Sequence, residues 1–305
     1  MTSKQLIEYI KTTEKMVSPE RVAQINQFSK IMGKLPLNMQ KGIAKSGGKK
    51  DPYMSFIVEP YSFFLAYEIK DIKAAQKLLP KKYKIVPTSM FSSTEAKPAI
   101  IIGVFNAHTT VFWGSRVEVY MIAENQETGL LSWVIVDYET NTNSFDPGQG
   151  FIRPTTEHST VTTTHRGEVL VDILGAESKN RISLIAPTKD GIESFLEQRL
   201  WIEGNLSVDY GGELMDGDSE PFSLIFDPHE MDRAIKIKPE SVKIEHNSLK
   251  GAYSYDKPFE VACFPYAQHY ITTSIPIGMG LKNLRDLENA GEKFMKSREN
   301  TILVS

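Results

Sequence analysis

Arg116 and Glu118 lie two positions apart in the segment Phe112–Tyr120, whose residue types predict a β-strand. Side chains alternate along a strand, so these two point to one face, while Val117 and Val119 point to the other. If the charged face lines the interior of a barrel, the pair is costly to bury unless it performs chemistry or forms an ion pair. If that face meets water, the pair is a salt bridge of little value. The residues alone leave both interpretations open.

The other residues that could bind a metal or a cofactor, or act as a nucleophile, form no recognisable motif. The histidines lack the i, i+2 or i, i+4 spacing that places two on one face, so we predict no metal site. They are His108, His158, His165, His229, His246 and His269. Cys263 has apolar neighbours on both sides and is predicted to be a buried thiol. Gly278-Met279-Gly280 lacks the third glycine of a dinucleotide site and predicts a turn and helix cap. We therefore predict no cofactor.

The composition is that of a globular protein, with 305 residues, 41% hydrophobic and 24% charged. Its apolar stretches fall short of the roughly 18 to 20 residues that span a bilayer, so no membrane partner is expected. The first 15 residues lack the apolar core of a secretory signal. One cysteine excludes an internal disulfide, and we expect a cytoplasmic protein.

Residues 1–50 differ in character from the rest of the chain. They hold ten Lys or Arg against three Glu, and their apolar residues follow helical spacing. The glycine-rich stretch Lys41–Pro52 predicts a linker. We predict a helical arm and linker over residues 1–50, docked on the chain itself or on a neighbouring subunit of a homo-oligomer. Because no aromatic residues alternate with the lysines, we expect no nucleic-acid partner.

Residues 51–305 predict a second domain that is mainly β. Short runs of β-branched and aromatic residues predict many strands, among them Phe63–Ile69, Ala99–Phe105 and Arg116–Ala123. Helices are predicted only at Ile72–Leu79, Ile192–Arg199 and Leu281–Lys296. Since strands do not alternate regularly with helices, the pattern favours an antiparallel barrel or sandwich with attached helices, an α+β arrangement.

The order of features over most of residues 55–280 resembles the acetoacetate decarboxylase-like superfamily. Phe63–Ile69 followed by Asp71–Pro80 is similar to the family's opening strand, short helix and Leu-Leu-Pro turn. Arg116-Val117-Glu118 falls where the family has an aromatic-x-Glu segment. The resemblance implies a closed, cone-like antiparallel β-barrel, and it makes Glu118 the match for the family's active-site glutamate.

The resemblance fails at the nucleophile. The family's decarboxylases carry a Pro-Lys-Lys segment whose first lysine forms the Schiff base, and the most similar stretch has Pro154-Thr155-Thr156. An iminium nitrogen accepts the electrons released with CO2, and a hydroxyl cannot form one. The family's arginine before the first strand aligns with Tyr61. Schiff-base chemistry is therefore predicted to be absent.

Two classes of function follow from these features. The first is an enzyme acting on a small oxo-acid or related carbonyl compound by noncovalent acid/base or lyase chemistry. The second is a non-catalytic binding or sensing protein on the same fold. As predicted catalytic residues, Glu118 moves protons and Thr155 donates to a developing enolate oxygen. The predicted substrate-binding residues, with the arginines placed to hold a carboxylate, are Arg116, Arg153, Tyr61 and Trp113.

Overall fold

The architecture comes from a computed structural model. It describes residues 19–20, 22–23, 31, 34–47, 54–109, 112–146, 150–214 and 221–273. Most of the predicted N-terminal helices, the turn at Gly278–Gly280 and the helix Leu281–Lys296 lie outside the described residues. Within the described ranges, no helix combines the length and the apolar content that crossing a bilayer requires.

The described chain is mostly β, which confirms the predicted class. Two α-helices, α1 (Leu37–Gly47) and α2 (Ile72–Gln76), accompany the strands. The strands are β1 (Met54–Val58), β2 (Ser62–Glu68), β3 (Tyr83–Ile85), β4 (Pro87–Thr88), β5 (Lys97–Thr109), β6 (Trp113–Asn125), β7 (Leu131–Thr140), β8 (Ser144–Asp146), β9 (Gly150–Ile152), β10 (Thr156–Thr163), β11 (Glu168–Gly175), β12 (Arg181–Pro187), β13 (Ile192–Phe195), β14 (Val208–Tyr210), β15 (Ser223–Phe226), β16 (Arg233–Ile237), β17 (Lys243–Asn247), β18 (Glu260–Phe264) and β19 (Gln268–Thr273).

The strands form one large sheet and one small sheet. In the 13-stranded sheet the main path is β13-β16-β18-β2-β5-β1-β19-β15, and β6, β7 and β14 continue from the other edge of β5. Its pairings are antiparallel except for β7 with β14, which is parallel. The second sheet has the order β10-β11-β12-β17, and β8 pairs with β9.

The large sheet bends into a ring, but the strand pairing does not continue all the way around it. Seven strands follow one another as β15-β19-β1-β5-β6-β7-β14. Between β14 and β15, the described backbone is paired only through an isolated bridge, in which Val208 and Phe222 exchange two N–H···O hydrogen bonds of 2.9 Å. The expectation of a closed barrel is therefore not met in the described part of the chain, because β14 is only three residues long.

The two faces of the large sheet pack differently, as alternation along the strands requires. On the outer face, Val117 and Val119 of β6 belong to a buried cluster with Val171 and Leu184 of the second sheet. On the inner face, a second cluster is rich in aromatic side chains, including Phe64, Trp133, Trp201 and Phe264. Burying one such side chain contributes about 1.5 to 3 kcal/mol.

Two local predictions were wrong. The helix predicted over Ile192–Arg199 is the strand β13, followed by a π-helical turn at Arg199–Glu203. Ile192 and Phe195 have helical spacing, but the backbone of β13 pairs with β16 as an antiparallel strand. Most of the predicted linker is helix α1, which begins directly after Pro36, a residue that favours helix starts.

Candidate functional site

A cavity of about 150 Å³ lies on the inner face of the ring. Each of the seven ring strands contributes lining residues, and the turn Arg199–Glu203 adds another from the side. Most of the wall is apolar. Its aromatic residues include Phe56, Phe64, Phe105, Trp133, Trp201 and Tyr270. An apolar cavity of this volume is known to stay dry and to admit benzene, so the space suits a small organic molecule.

Strand β6 supplies the charged part of the wall. Gly114, Arg116, Glu118 and Tyr120 occupy alternate positions and all line the cavity. Their register against β5 is regular, with Glu118 opposite Gly103. The predicted shared face of Arg116 and Glu118 is therefore confirmed, and of the two interpretations the structure selects the interior one.

Arg116, Glu118 and Tyr120 form a connected cluster. The Nε atom of Arg116 forms an ion pair with Oε1 of Glu118, and the hydroxyl of Tyr120 donates a hydrogen bond to Oε2. The side chains of the ion pair are 15% and 10% exposed. Nη1 of Arg116 donates to Oγ of Ser144 at 3.3 Å, and the guanidinium lies 4.7 Å from the ring centre of Tyr138. One ion pair and one hydrogen bond thus hold the carboxylate in a largely apolar space.

The protonation states follow from burial and from this contact. Burial is the largest single effect and lowers the pKa of Arg116, but the combined attraction of Glu118 and of the tyrosines Tyr210, Tyr120 and Tyr138 leaves that pKa raised. Burial and the neighbouring Glu118 raise the pKa of Tyr120 well above its usual value. At neutral pH Arg116 is therefore a cation, and Tyr120 keeps the proton that it donates.

Two of the other polar lining residues, Asn205 and Gln268, have structural partners. The side-chain amide of Asn205 donates to the carbonyl of Trp201 at 2.6 Å. Gln268 accepts from the hydroxyl of Ser62 at 3.1 Å. The hydroxyl of Thr272 is buried and has no hydrogen-bond partner among the described residues. Apart from the cluster on β6, the wall thus offers little polar contact to a ligand.

Four predicted site residues do not line the cavity. Thr155 lies between β9 and β10, where its Oγ1 accepts from the Thr140 amide at 2.9 Å. Arg153 is exposed. Tyr61 has a φ of 70° and packs against the outer cluster. The Trp113 side chain is 57% exposed and donates to Glu59 at 3.0 Å.

Alternation along β6 explains why Trp113 lies outside the cavity and why Tyr120, which the sequence analysis did not select, lines it. Trp113 has the parity of Val117, which points outward, whereas Tyr120 has the parity of Glu118. The signal for Tyr120 was present in the same pattern. No local sequence pattern predicts that Asn205 and Gln268 line the cavity, because they reach it from distant parts of the chain.

No lysine is found among the described residues that line the cavity. Lys97 and Lys179, the nearest candidates for a relocated amine, form ion pairs elsewhere. Lys97 contacts Glu68 at 2.8 Å, and Lys179 contacts Glu157 at 3.3 Å. The described part of the chain thus brings no amine to Glu118.

Metal and thiol chemistry also find no support in the described ranges. There, no three His, Cys, Asp or Glu residues are grouped so that they could hold a metal ion. Cys263 is buried as predicted, and burial raises the pKa of its thiol to about 12. A protonated, buried thiol is a poor nucleophile.

Neither a protein-family model nor a curated protein matches the chain. Functional inference therefore depends on the cavity and on the chemistry of its residues.

Proposed function

We propose that the chain binds a small oxo-acid or related carbonyl compound in the cavity. We further propose that it catalyses proton transfer at the carbon beside the carbonyl group, without a covalent adduct. The observation that carries this proposal is the buried cluster of Arg116, Glu118 and Tyr120 on the cavity wall. Such a set combines a base with two hydrogen-bond donors, which is what enolisation requires.

Each residue has a definite part in the proposed step. The Glu118 carboxylate removes a proton from the carbon beside the carbonyl, and the electrons of that C–H bond move to the carbonyl oxygen. The guanidinium of Arg116 donates to this oxygen as negative charge develops on it, or the single hydroxyl proton of Tyr120 turns from Glu118 to this oxygen as Glu118 becomes protonated. Glu118 then returns its proton to carbon, so the step is balanced without another reactant.

The surroundings favour such a step. Aromatic walls limit the access of water, and electrostatic interactions are stronger in a medium of low dielectric constant. The raised pKa of Tyr120 keeps this residue a neutral donor at physiological pH.

The proposal includes membership of the acetoacetate decarboxylase-like superfamily with its cone-like barrel. Two observations support it: a seven-stranded ring surrounds the cavity, and Glu118 lies on the inner wall. The lack of lysine among the described lining residues supports noncovalent chemistry over a Schiff base.

The test is deuterium exchange at carbon. The full chain is incubated in D2O with small ketones and oxo-acids, and label uptake is followed by NMR. We expect Glu118→Gln to lower the exchange rate about 100-fold or more, the usual contribution of a general base. Glu124→Gln is the matched control, since Glu124 lies on β6 but pairs with Arg199 at 2.7 Å and does not line the cavity. Unchanged exchange in Glu118→Gln would refute the proposed role.

Borohydride reduction tests the noncovalent part separately. With a β-keto acid present, we expect mass spectrometry to find no lysine adduct on the wild-type chain. An adduct on any lysine would show that Schiff-base chemistry operates.

A non-catalytic binding role is the second candidate. It is favoured by the mutual satisfaction of the cluster, since Arg116 and Tyr120 are already directed at Glu118. A carbonyl compound that raises the unfolding temperature without any deuterium exchange would support binding alone.

A further inference from the structure

The charges on the cavity wall cancel. Among the described lining residues, Arg116 and Glu118 are the only ones that carry a charge, and they are paired with each other. The remaining contacts of Arg116, with Ser144 and with the face of Tyr138, occupy more of the guanidinium. A ligand therefore meets a wall with no net charge.

We infer that the preferred ligand is an uncharged, largely apolar carbonyl compound of about the size of a benzene ring, and not a carboxylate. This inference rests on the proposed function, because it assigns a ligand class to the same cavity. It narrows the proposed range from oxo-acids and related compounds to neutral ketones, aldehydes or esters.

The first reason is the cost of a second negative charge. A carboxylate in the cavity must share Arg116 with Glu118, so one of the two anions is left without full compensation in an apolar space. Burying an unpaired charge is strongly unfavourable. A neutral carbonyl oxygen brings no charge and needs only a donor.

The second reason is that the wall suits a ligand that is apolar except for one hydrogen-bond acceptor. Among the described residues, Nη1 of Arg116 donates to Ser144, whereas Nε faces Glu118 in the ion pair and has no hydrogen-bond partner. A guanidinium carries five N–H donors, so donors remain for one carbonyl oxygen. Around this guanidinium the wall is mostly apolar and includes the aromatic side chains Phe64, Phe105 and Trp133. Aromatic walls gain most from apolar area and from ring-to-ring contacts.

The third reason is size. A volume of about 150 Å³ accommodates one ring with a short substituent. A larger acid with its own hydration shell would have to lose that shell without receiving a countercharge.

The experiment compares three probes of similar size at neutral pH: acetophenone, benzoate and benzylammonium. Acetophenone and benzoate have nearly the same shape and differ in charge. Dissociation constants for the full chain are measured by calorimetry, with unfolding temperature as a second readout. We expect acetophenone to bind at least about tenfold more tightly than either ion, because a negative charge is penalised beside Glu118 and a positive charge beside Arg116.

A charge-removing variant locates the preference in the cavity. Glu118→Gln leaves Arg116 without its anion, so the affinity ratio of benzoate to acetophenone should rise at least about tenfold over that of the wild type. Glu124→Gln should leave this ratio unchanged. A ratio within one protein is not affected by a general loss of stability.

Three results would overturn the inference: benzoate binding the wild type as tightly as acetophenone, none of the probes binding, or an unchanged ratio in Glu118→Gln. The outcome is separable from that of the proposed catalysis. Tight acetophenone binding without deuterium exchange rejects the catalysis alone. Exchange on an oxo-acid together with benzoate preference rejects the ligand class alone.

Discussion

Glu118 is ion-paired with Arg116 and accepts a hydrogen bond from Tyr120 inside a largely apolar cavity. Buried ion pairs of this kind contribute little net stability, and well-packed apolar residues often replace them without loss. Stability therefore gives no sufficient reason for the cluster. Ligand binding or proton transfer does, because both need polar groups held in one geometry before the ligand arrives.

Gly103 is the residue directly across from Glu118 in the β5–β6 register. A Cβ atom at this position would lie 2.7 Å from Cε1 of Phe64 and 3.2 Å from Cε2 of Tyr120. We expect Gly103→Ala to lower the free energy of unfolding in urea by about 1 to 3 kcal/mol, the usual cost of overpacking. Displacement of Tyr120 should also lower ligand affinity.

The control is Gly42→Ala in α1, where an added Cβ has no atom within 4 Å. It should stabilise the chain by roughly 0.5 to 1 kcal/mol, because alanine favours helix. A Gly103→Ala variant as stable as the wild type would mean that Phe64 and Tyr120 have space to move.

At the scale of elements, the ring depends on a short contact between β14 and β15. Val208 and Phe222 provide both hydrogen bonds of this bridge, and both line the cavity. An isolated bridge has no neighbouring pairs to support it, so this side of the ring should open more easily than the β5–β6 side.

We expect Phe222→Pro to open the ring more than Phe222→Ala does. Both variants lose the aromatic wall, but only proline removes the N–H that donates to Val208 at 2.9 Å. The proline variant should be less stable by a further 1 kcal/mol or so. Hydrogen exchange by mass spectrometry should show faster exchange in β14 and β15. Equal exchange in the two variants would show that the bridge does not hold the ring together.

At the scale of the whole molecule, Glu260 connects β18 to the segment before β5. It is 1% exposed and accepts from the amides of Met90 at 2.6 Å and Phe91 at 3.3 Å. Burial raises its pKa above the ordinary 4.5, although the hydrogen bonds that it accepts act in the opposite direction. The folded chain therefore holds this proton more tightly than the unfolded chain.

This linkage predicts how the effect of Glu260→Gln on the free energy of unfolding depends on pH. The proton-linked stabilisation is complete below the ordinary pKa and is lost as the pH rises through the raised value. The difference in free energy of unfolding between wild type and variant should therefore be largest in acid. It should shrink with rising pH, by about 1.4 kcal/mol for each unit by which the pKa is raised. Urea unfolding between about pH 4 and 8 would measure it.

Glu245→Gln is a control of opposite sign. Lys243 contacts Glu245 at 2.9 Å and lowers the pKa of that carboxyl. Its stabilisation is present above the ordinary pKa and is lost as the pH falls, so this difference should grow with rising pH. The same trend in both variants would contradict the raised pKa of Glu260.

The predicted homo-oligomer, the docking role of residues 1–50 and the cytoplasmic location stay predictions.

Local patterns were sufficient for the β class and for several strands. The predicted run Phe63–Ile69 matches β2 to within one residue at each end, and Ala99–Phe105 and Arg116–Ala123 lie within β5 and β6. Short or continuously apolar segments such as β14 and β18 were missed, because their burial on both sides removes the alternation that marks a strand. Ile192–Arg199 was misassigned because two apolar residues three apart fit a helix as well as a strand edge.

By itself, the sequence determined that Arg116 and Glu118 share a face, since alternation is a property of the strand alone. Only the tertiary structure decided that this face is the inner one, and that Thr155, Arg153, Tyr61 and Trp113 lie away from it. The reason is that a cavity is enclosed by strands distant in sequence. Which face turns inward depends on the apolar surface that all of them bury together, and no single segment contains that information.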